Sequence, residues 1–66
     1  MKYTLNGEPR DSGKLSIAEI VHELTDTPDT AGVAVAVNAE VVPRSGWDRL
    51  VTEGDVVDVL TAVQGG

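Results

Sequence analysis

The chain of 66 residues finishes in Gly65 and Gly66, so its final carboxylate carries no neighbouring side chains. Glycine frees the main chain for conformations closed to other residues and lets it thread a narrow channel. A glycine pair in this place suits a carboxyl group that must be brought close to a catalyst. A terminal carboxyl has an ordinary pKa of about 3.3–3.7 and is an anion and a poor electrophile at neutral pH. Chemistry at Gly66 therefore requires activation from outside. The same two residues also suit a plain flexible tail, because disorder concentrates at termini. What the other residues form decides between the two.

Composition narrows the function classes. Sixty-six residues allow one domain and one small core, and such a chain buries only about 60% of its unfolded surface. A substrate pocket commonly needs about 300 Å³ or more, so an enzyme acting alone is not expected. The formal charge is −6, from 5 basic and 11 acidic residues. That balance disfavours nucleic acid, which needs clustered Lys and Arg. It suits either a basic protein partner or simple solubility. With no cysteine and one histidine there is no disulfide, no thiolate nucleophile and no metal-ligand pattern. No apolar run is long enough to span a membrane and no signal peptide or lipidation motif is visible, so the expected compartment is the cytoplasm.

The elements follow from patterning. Residues 1–6 alternate, with Met1, Tyr3 and Leu5 on one face, and read as a half-buried strand. Asn6-Gly7 is a hairpin turn signal, returning the chain through residues 8–11. Pro9 lacks an amide hydrogen and places that second strand at a sheet edge. Ser16 and Glu19 form a capping box, flanked by Leu15 and Ile20 at the staple positions. Ile17, Ile20, Val21 and Leu24 hold the spacing of one buried helical face, which predicts a helix over 16–24. The continuous apolar run 33–37 reads as an interior strand covered on both faces. Asn38-Ala39 turns the chain into a short strand over 40–42 closed by Pro43. Alanine is a poorer choice than glycine where φ is positive, so a looser turn is expected there. Residues 44–50 read as an irregular or 3₁₀ segment, 53–55 as a turn, and 56–60 as the last strand.

One helix can cover one face of such a sheet, which makes the domain α+β in two layers. The element order fits a mixed sheet whose first and last strands lie parallel and adjacent. That is the β-grasp, or ubiquitin-like, fold, with four or five strands and one main helix. The expected domain is 1–66, with 61–66 as a flexible tail leaving the centre of the sheet.

The segment Val37-Asn38-Ala39-Glu40-Val41-Val42-Pro43-Arg44-Ser45-Gly46-Trp47 resembles the signature of the small sulfur carriers of thiamine biosynthesis: an apolar-Asn turn, then Val-Pro-Arg, two residues and Trp. Glu53-Gly54-Asp55 is similar to the family's Asp-Gly-Asp, with Glu for the first Asp. Ala62-Val63-Gln64-Gly65-Gly66 is similar to its ending. The resemblance covers nearly the whole chain, and Pro-Arg-x-x-Trp together with Gly-Gly is its specific part.

The resemblance implies that the protein is a co-substrate rather than an enzyme and binds no cofactor of its own. A ThiF-like adenylyltransferase, related to ubiquitin-activating enzymes, consumes ATP and Mg²⁺ to adenylate the Gly66 carboxylate. A sulfur donor such as a cysteine desulfurase persulfide displaces AMP, leaving a covalent thiocarboxylate on Gly66. A ThiG-like thiazole synthase then takes the sulfur. Gly65 and Gly66 keep the carbonyl open throughout, and the free protein is expected to be a monomer.

Among the remaining residues, Trp47 is expected to pack the irregular segment onto the core with its indole edge wet, and partner anchoring is its second role. Arg44 is expected to organise its own loop through carbonyls or a carboxylate, and His22 to be exposed. In the last strand Val57 and Val59 should face the helix, leaving Asp58 and Leu60 on the open face. Added to the resemblance, this makes Leu60 and Ala62 candidates for docking, with Asp55 and Asp58 as acidic contacts. The rivals are the small subunit of molybdopterin synthase, a ubiquitin-like modifier of lysines, and a plain interaction module.

Overall fold

The computed structural model describes residues 1–25 and 32–61. Its chain order is β1 (Lys2–Leu5), β2 (Glu8–Asp11), α1 (Ile17–Thr25), β3 (Val33–Val37), β4 (Glu40–Val42), a 3₁₀ turn at Arg44–Gly46, and β5 (Val56–Thr61). The five strands form one mixed sheet in the order β2-β1-β5-β3-β4. β1 and β5 are parallel, with Thr4 opposite Val56 and Leu5 opposite Val57, and the other pairs are antiparallel. β5 is therefore the central strand and β2, which carries Pro9, is an edge, as the missing amide hydrogen requires. This is the β-grasp arrangement.

Both hairpins turn through two residues of positive φ, Asn6 at 50° with Gly7 at 82°, and Asn38 at 52° with Ala39 at 68°. Turns with both central residues positive match the right-handed twist of the strands they join. The second turn is thus tight and strained at Ala39, not loosened as expected. Asn38 pins it: its backbone N donates to the Val56 carbonyl at 2.7 Å, and its Oδ1 accepts from the Val56 N at 2.9 Å. The left-handed region costs a residue with a Cβ about 1–2 kcal/mol. Ala39→Gly is accordingly expected to stabilise the domain by about 1 kcal/mol, a rise in thermal midpoint of about 4–8 °C. An unchanged or lower midpoint in a calorimetric melt would contradict the turn geometry.

The helix begins as the capping box specifies, with the Glu19 N donating to the Ser16 Oγ at 3.2 Å. Glu19 reaches back to the hydroxyl of Ser16, whose Oγ donates to its Oε1 at 3.2 Å. Two further amides of the first turn are satisfied from far along the chain. The Ile17 N donates to the Arg49 carbonyl at 3.0 Å and the Ala18 N to the Trp47 carbonyl at 2.8 Å. The irregular segment after β4 thus caps the helix as well as covering the core.

Ile17, Ile20 and Val21 of α1 are buried against Tyr3 and Leu5 of β1, Val35 and Val37 of β3, and Val57 and Val59 of β5, with Trp47 and Val51 closing the end. Leu24, expected on the buried helical face, is 40% exposed. β3 lies between two neighbours but is covered on one face only. Val35 and Val37 are buried, whereas Ala34 is exposed and Ala36 half-buried. A single helix has no second layer to set against the other face. Thr61, expected to begin the tail, is the last residue of β5 and stands opposite Val33.

Candidate functional site

Alternation along β5 puts Val57 and Val59 under the helix and turns Val56, Asp58 and Leu60 to the open face. Leu60 is 69% exposed and Asp58 is half-buried, as the strand register requires. Their neighbours across β3 are small, since Leu60 stands opposite Ala34 and Asp58 opposite Ala36. Ala36 is in turn opposite Val41 of β4, which is exposed, as is Val56. On the open face the small Ala34 and Ala36 stand opposite Leu60 and Asp58, and Leu60 and Val41 are exposed while Asp58 is half-buried. Val41 and Val56 belong to this surface and are missed by patterning, because a three-residue strand has too little alternation to show which face Val41 takes. Ala62, Gly65 and Gly66 lie outside the described residues.

Two candidates for partner contact have structural roles instead. Asp55 is buried, 5% exposed, so it is no part of an acidic edge. Its Oδ2 accepts from the Thr52 N at 2.9 Å, and its Oδ1 accepts from the Asn38 Nδ2 at 3.1 Å. The Arg49 guanidinium lies 4.0 Å away. Burial pushes the carboxyl pKa up, but the hydrogen bonds from Thr52 and Asn38 and the Arg49 charge outweigh it and hold the group below its ordinary value. The charged form is favoured by folding, so this stabilisation is complete above the unfolded carboxylate pKa of about 3.9. It is lost as pH falls through the lower folded value. Asp55→Asn should therefore flatten the acid limb of stability against pH below about pH 4. Equal acid slopes in denaturant titrations of the two proteins would contradict this.

Trp47 is 7% exposed, which leaves little of its ring for a partner. Its indole edge is not wet, since Nε1 donates to the Val42 carbonyl at 3.1 Å. The Arg44 guanidinium carbon stands 5.6 Å from the Trp47 ring centroid, a cation–π contact that organises the loop through the ring. Pro-Arg-x-x-Trp is thus a packing device that closes one end of the core and presents the Trp47 carbonyl to the helix start. His22 is exposed on α1.

Among the described residues no three His, Asp or Glu side chains gather to hold a metal ion, and no helix is long and apolar enough to cross a membrane. A depression of about 390 Å³ lies over Lys2, Thr4, Pro9, Asp11, Glu53 and Gly54. Because β1 and β5 are parallel, it sits at the end of the sheet opposite Thr61, remote from where the chain continues toward Gly66.

The model of the ThiS family matches residues 3–66 of this chain. The chain belongs to the ThiS family. That match runs through Gly65 and Gly66 as well as the domain. The sulfur carrier protein ThiS of Thermus thermophilus is 39% identical over 67 residues, covering 94% of this chain and 95% of that protein. The sulfur carrier protein ThiS of Escherichia coli is 37% identical over 51 residues, covering 73% and 77%. The crystal structure of a thiamine biosynthesis protein (ThiS) from Geobacter metallireducens superposes with a TM-score of 0.75 at 31% identity, over the whole of both chains. The solution structure from the same organism gives a TM-score of 0.77 at 31% identity, over 100% of this chain and 88% of the other. Arg44 and Trp47 are thus engaged in packing within this chain, while Val56 and Leu60 of β5 are exposed.

Proposed function

We propose that this protein carries sulfur for the thiazole of thiamine on the carboxyl group of Gly66. The observation that supports this most is the ThiS family match through residue 66, on a domain whose central strand leads directly into that segment. The same match favours the thiazole branch over molybdopterin synthesis. In this reading the domain is an address and a tether, and the reactive machinery belongs to its partners.

An adenylyltransferase first attacks ATP with the Gly66 carboxylate, forming an acyl adenylate and releasing pyrophosphate. The mixed anhydride turns a resonance-stabilised anion into an electrophile with AMP as leaving group. A persulfide sulfur attacks the carbonyl and expels AMP, and a second thiol cleaves the resulting acyl disulfide, leaving the thiocarboxylate. That group is a sulfur nucleophile, which a thiazole synthase can take up. Gly65 and Gly66 present both faces of the carbonyl because neither has a Cβ.

Incubation with an adenylyltransferase, Mg-ATP and a persulfide donor, followed by intact mass spectrometry, tests the reading. The expected product carries one sulfur in place of one oxygen. Attachment to lysine side chains would instead indicate a modifier, and an unchanged mass a plain interaction module.

The exposed surface around Leu60 is the docking surface in this proposal, with Asp58 beside it. Leu60→Asp should raise the KM of adenylation about tenfold, the loss of one interface anchor. Stability should change by no more than about 0.5 kcal/mol, as for other exposed positions. An unchanged KM would remove Leu60 from the interface.

A further inference from the structure

β5 is held unequally along its two sides. β3 stands opposite it from Val57 to Thr61, whereas β1 reaches only Val56 and Val57 before leaving the sheet in the Asn6-Gly7 turn. Beyond Val57, the bonding on the β1 side comes, among the described residues, from one side chain. The Asn6 N donates to the Val57 carbonyl at 2.9 Å, and the Asn6 Oδ1 then accepts from the Val59 N at 2.8 Å. The amide oxygen supplies one more rung of a ladder whose backbone has already turned away. Val59 is two residues before the end of β5, from which the chain continues toward Gly66.

We propose that Asn6 is a positioning residue for the delivery of Gly66: by holding Val59 it fixes the point and direction from which residues 62–66 start. The proposal rests on the sulfur-carrier reading. Two demands meet at this position. The backbone sits at φ 50°, which excludes most side chains, and the rung needs a short oxygen acceptor. Asparagine and aspartate meet both demands, and glycine meets only the first. Order that is present before docking need not be imposed during it, so the rung acts on the affinity for the activating partner. It leaves the chemical step, which belongs to the partner, unchanged.

These demands separate the rung from the turn experimentally. Asn6→Gly keeps the positive φ and removes the acceptor, and Asn6→Asp keeps both. Ile20→Val, a truncation in the buried face of α1, lowers stability without touching β5. ATP–pyrophosphate exchange with the adenylyltransferase, together with amide hydrogen exchange at Val59, reads all four proteins. Asn6→Gly is expected to raise KM about fivefold, the worth of one hydrogen bond, with kcat unchanged and the Val59 amide deprotected. Asn6→Asp should restore both, and Ile20→Val should leave KM at the wild-type value. A wild-type KM in Asn6→Gly, a Val59 amide still protected in that variant, or an equal rise in Ile20→Val would each overturn the proposal alone. No exchange with the wild-type protein would overturn the sulfur-carrier reading, and this proposal with it.

Discussion

A chain extended by even one residue past Gly66 is expected to lose ATP–pyrophosphate exchange completely while its thermal midpoint stays unchanged. Extension converts the Gly66 acid into an amide and moves the terminal carboxylate a residue further on, about 3.3–3.6 Å out of place, onto a residue that need not be glycine. Gly66→Val should be nearly as damaging for a different reason. The carboxylate survives, but a β-branched side chain stiffens the last residue and crowds the carbonyl. A misplacement of about 1 Å at a reacting centre costs about 10²-fold in rate, and that is the loss expected for Gly66→Val. Neither change reaches the core residues, so stability is the internal control. Wild-type exchange by the extended chain would refute the assignment of chemistry to Gly66.

Trp47→Ala is the substitution expected to damage the fold most. Loss of a buried aromatic side chain costs about 3–5 kcal/mol, against a total stability on the order of 3–10 kcal/mol for a domain of this length. The loss also strands the Val42 carbonyl, which accepts from the indole, and removes the surface under Arg44. Circular dichroism melts should show a protein largely unfolded at 37 °C or with its transition greatly broadened. Trp47→Phe keeps most of the buried area and loses the indole donor, so it should cost about 1–2 kcal/mol. A well-folded Trp47→Ala protein that fails only in adenylation would return Trp47 to the partner interface.

Local chemistry was legible where a few adjacent residues determine it. Asn6-Gly7 specifies its turn, Ser16 with Glu19 specifies the helix start, and Pro9 specifies an edge. Alternation in β5 separates Val57 and Val59 from Asp58 and Leu60. The misses share a cause, which is dependence on partners distant in sequence. The tight turn at Ala39 is imposed by Asn38 clipping onto Val56, a bond no local pattern encodes. Asp55 looks like a surface carboxylate until Asn38, Thr52 and Arg49 converge on it. The run of Val33–Val37 suggests two covered faces, because its alanines are apolar, yet they are also small enough to sit on an open one. Leu24 keeps the helical period but falls at the last turn, beyond the reach of the sheet. At the candidate site, Leu60 and Asp58 followed from strand register, whereas Val41 needed the β3–β4 pairing to join them. The Asn6 rung joins residues at opposite ends of the described chain, and nothing near Asn6 announces it.

The central position of β5 also sets the order of events during synthesis. The β1–β2 and β3–β4 hairpins have no direct pairing with each other, and the sheet is continuous only through β5. A hairpin closes in about 1–10 μs, but translation proceeds at about 5–20 residues per second, so β5 follows β4 on the order of a second later. During that interval Tyr3, Leu5, Val35 and Val37 have no common core to enter, and β1 and β3 each keep an unpaired edge. A chain that stops before Val56 lacks the strand that joins the two hairpins, and a lone hairpin is marginally stable at best. The chain's net negative charge opposes association in the meantime, and the sheet is completed only when the strand that leads to Gly66 has been made.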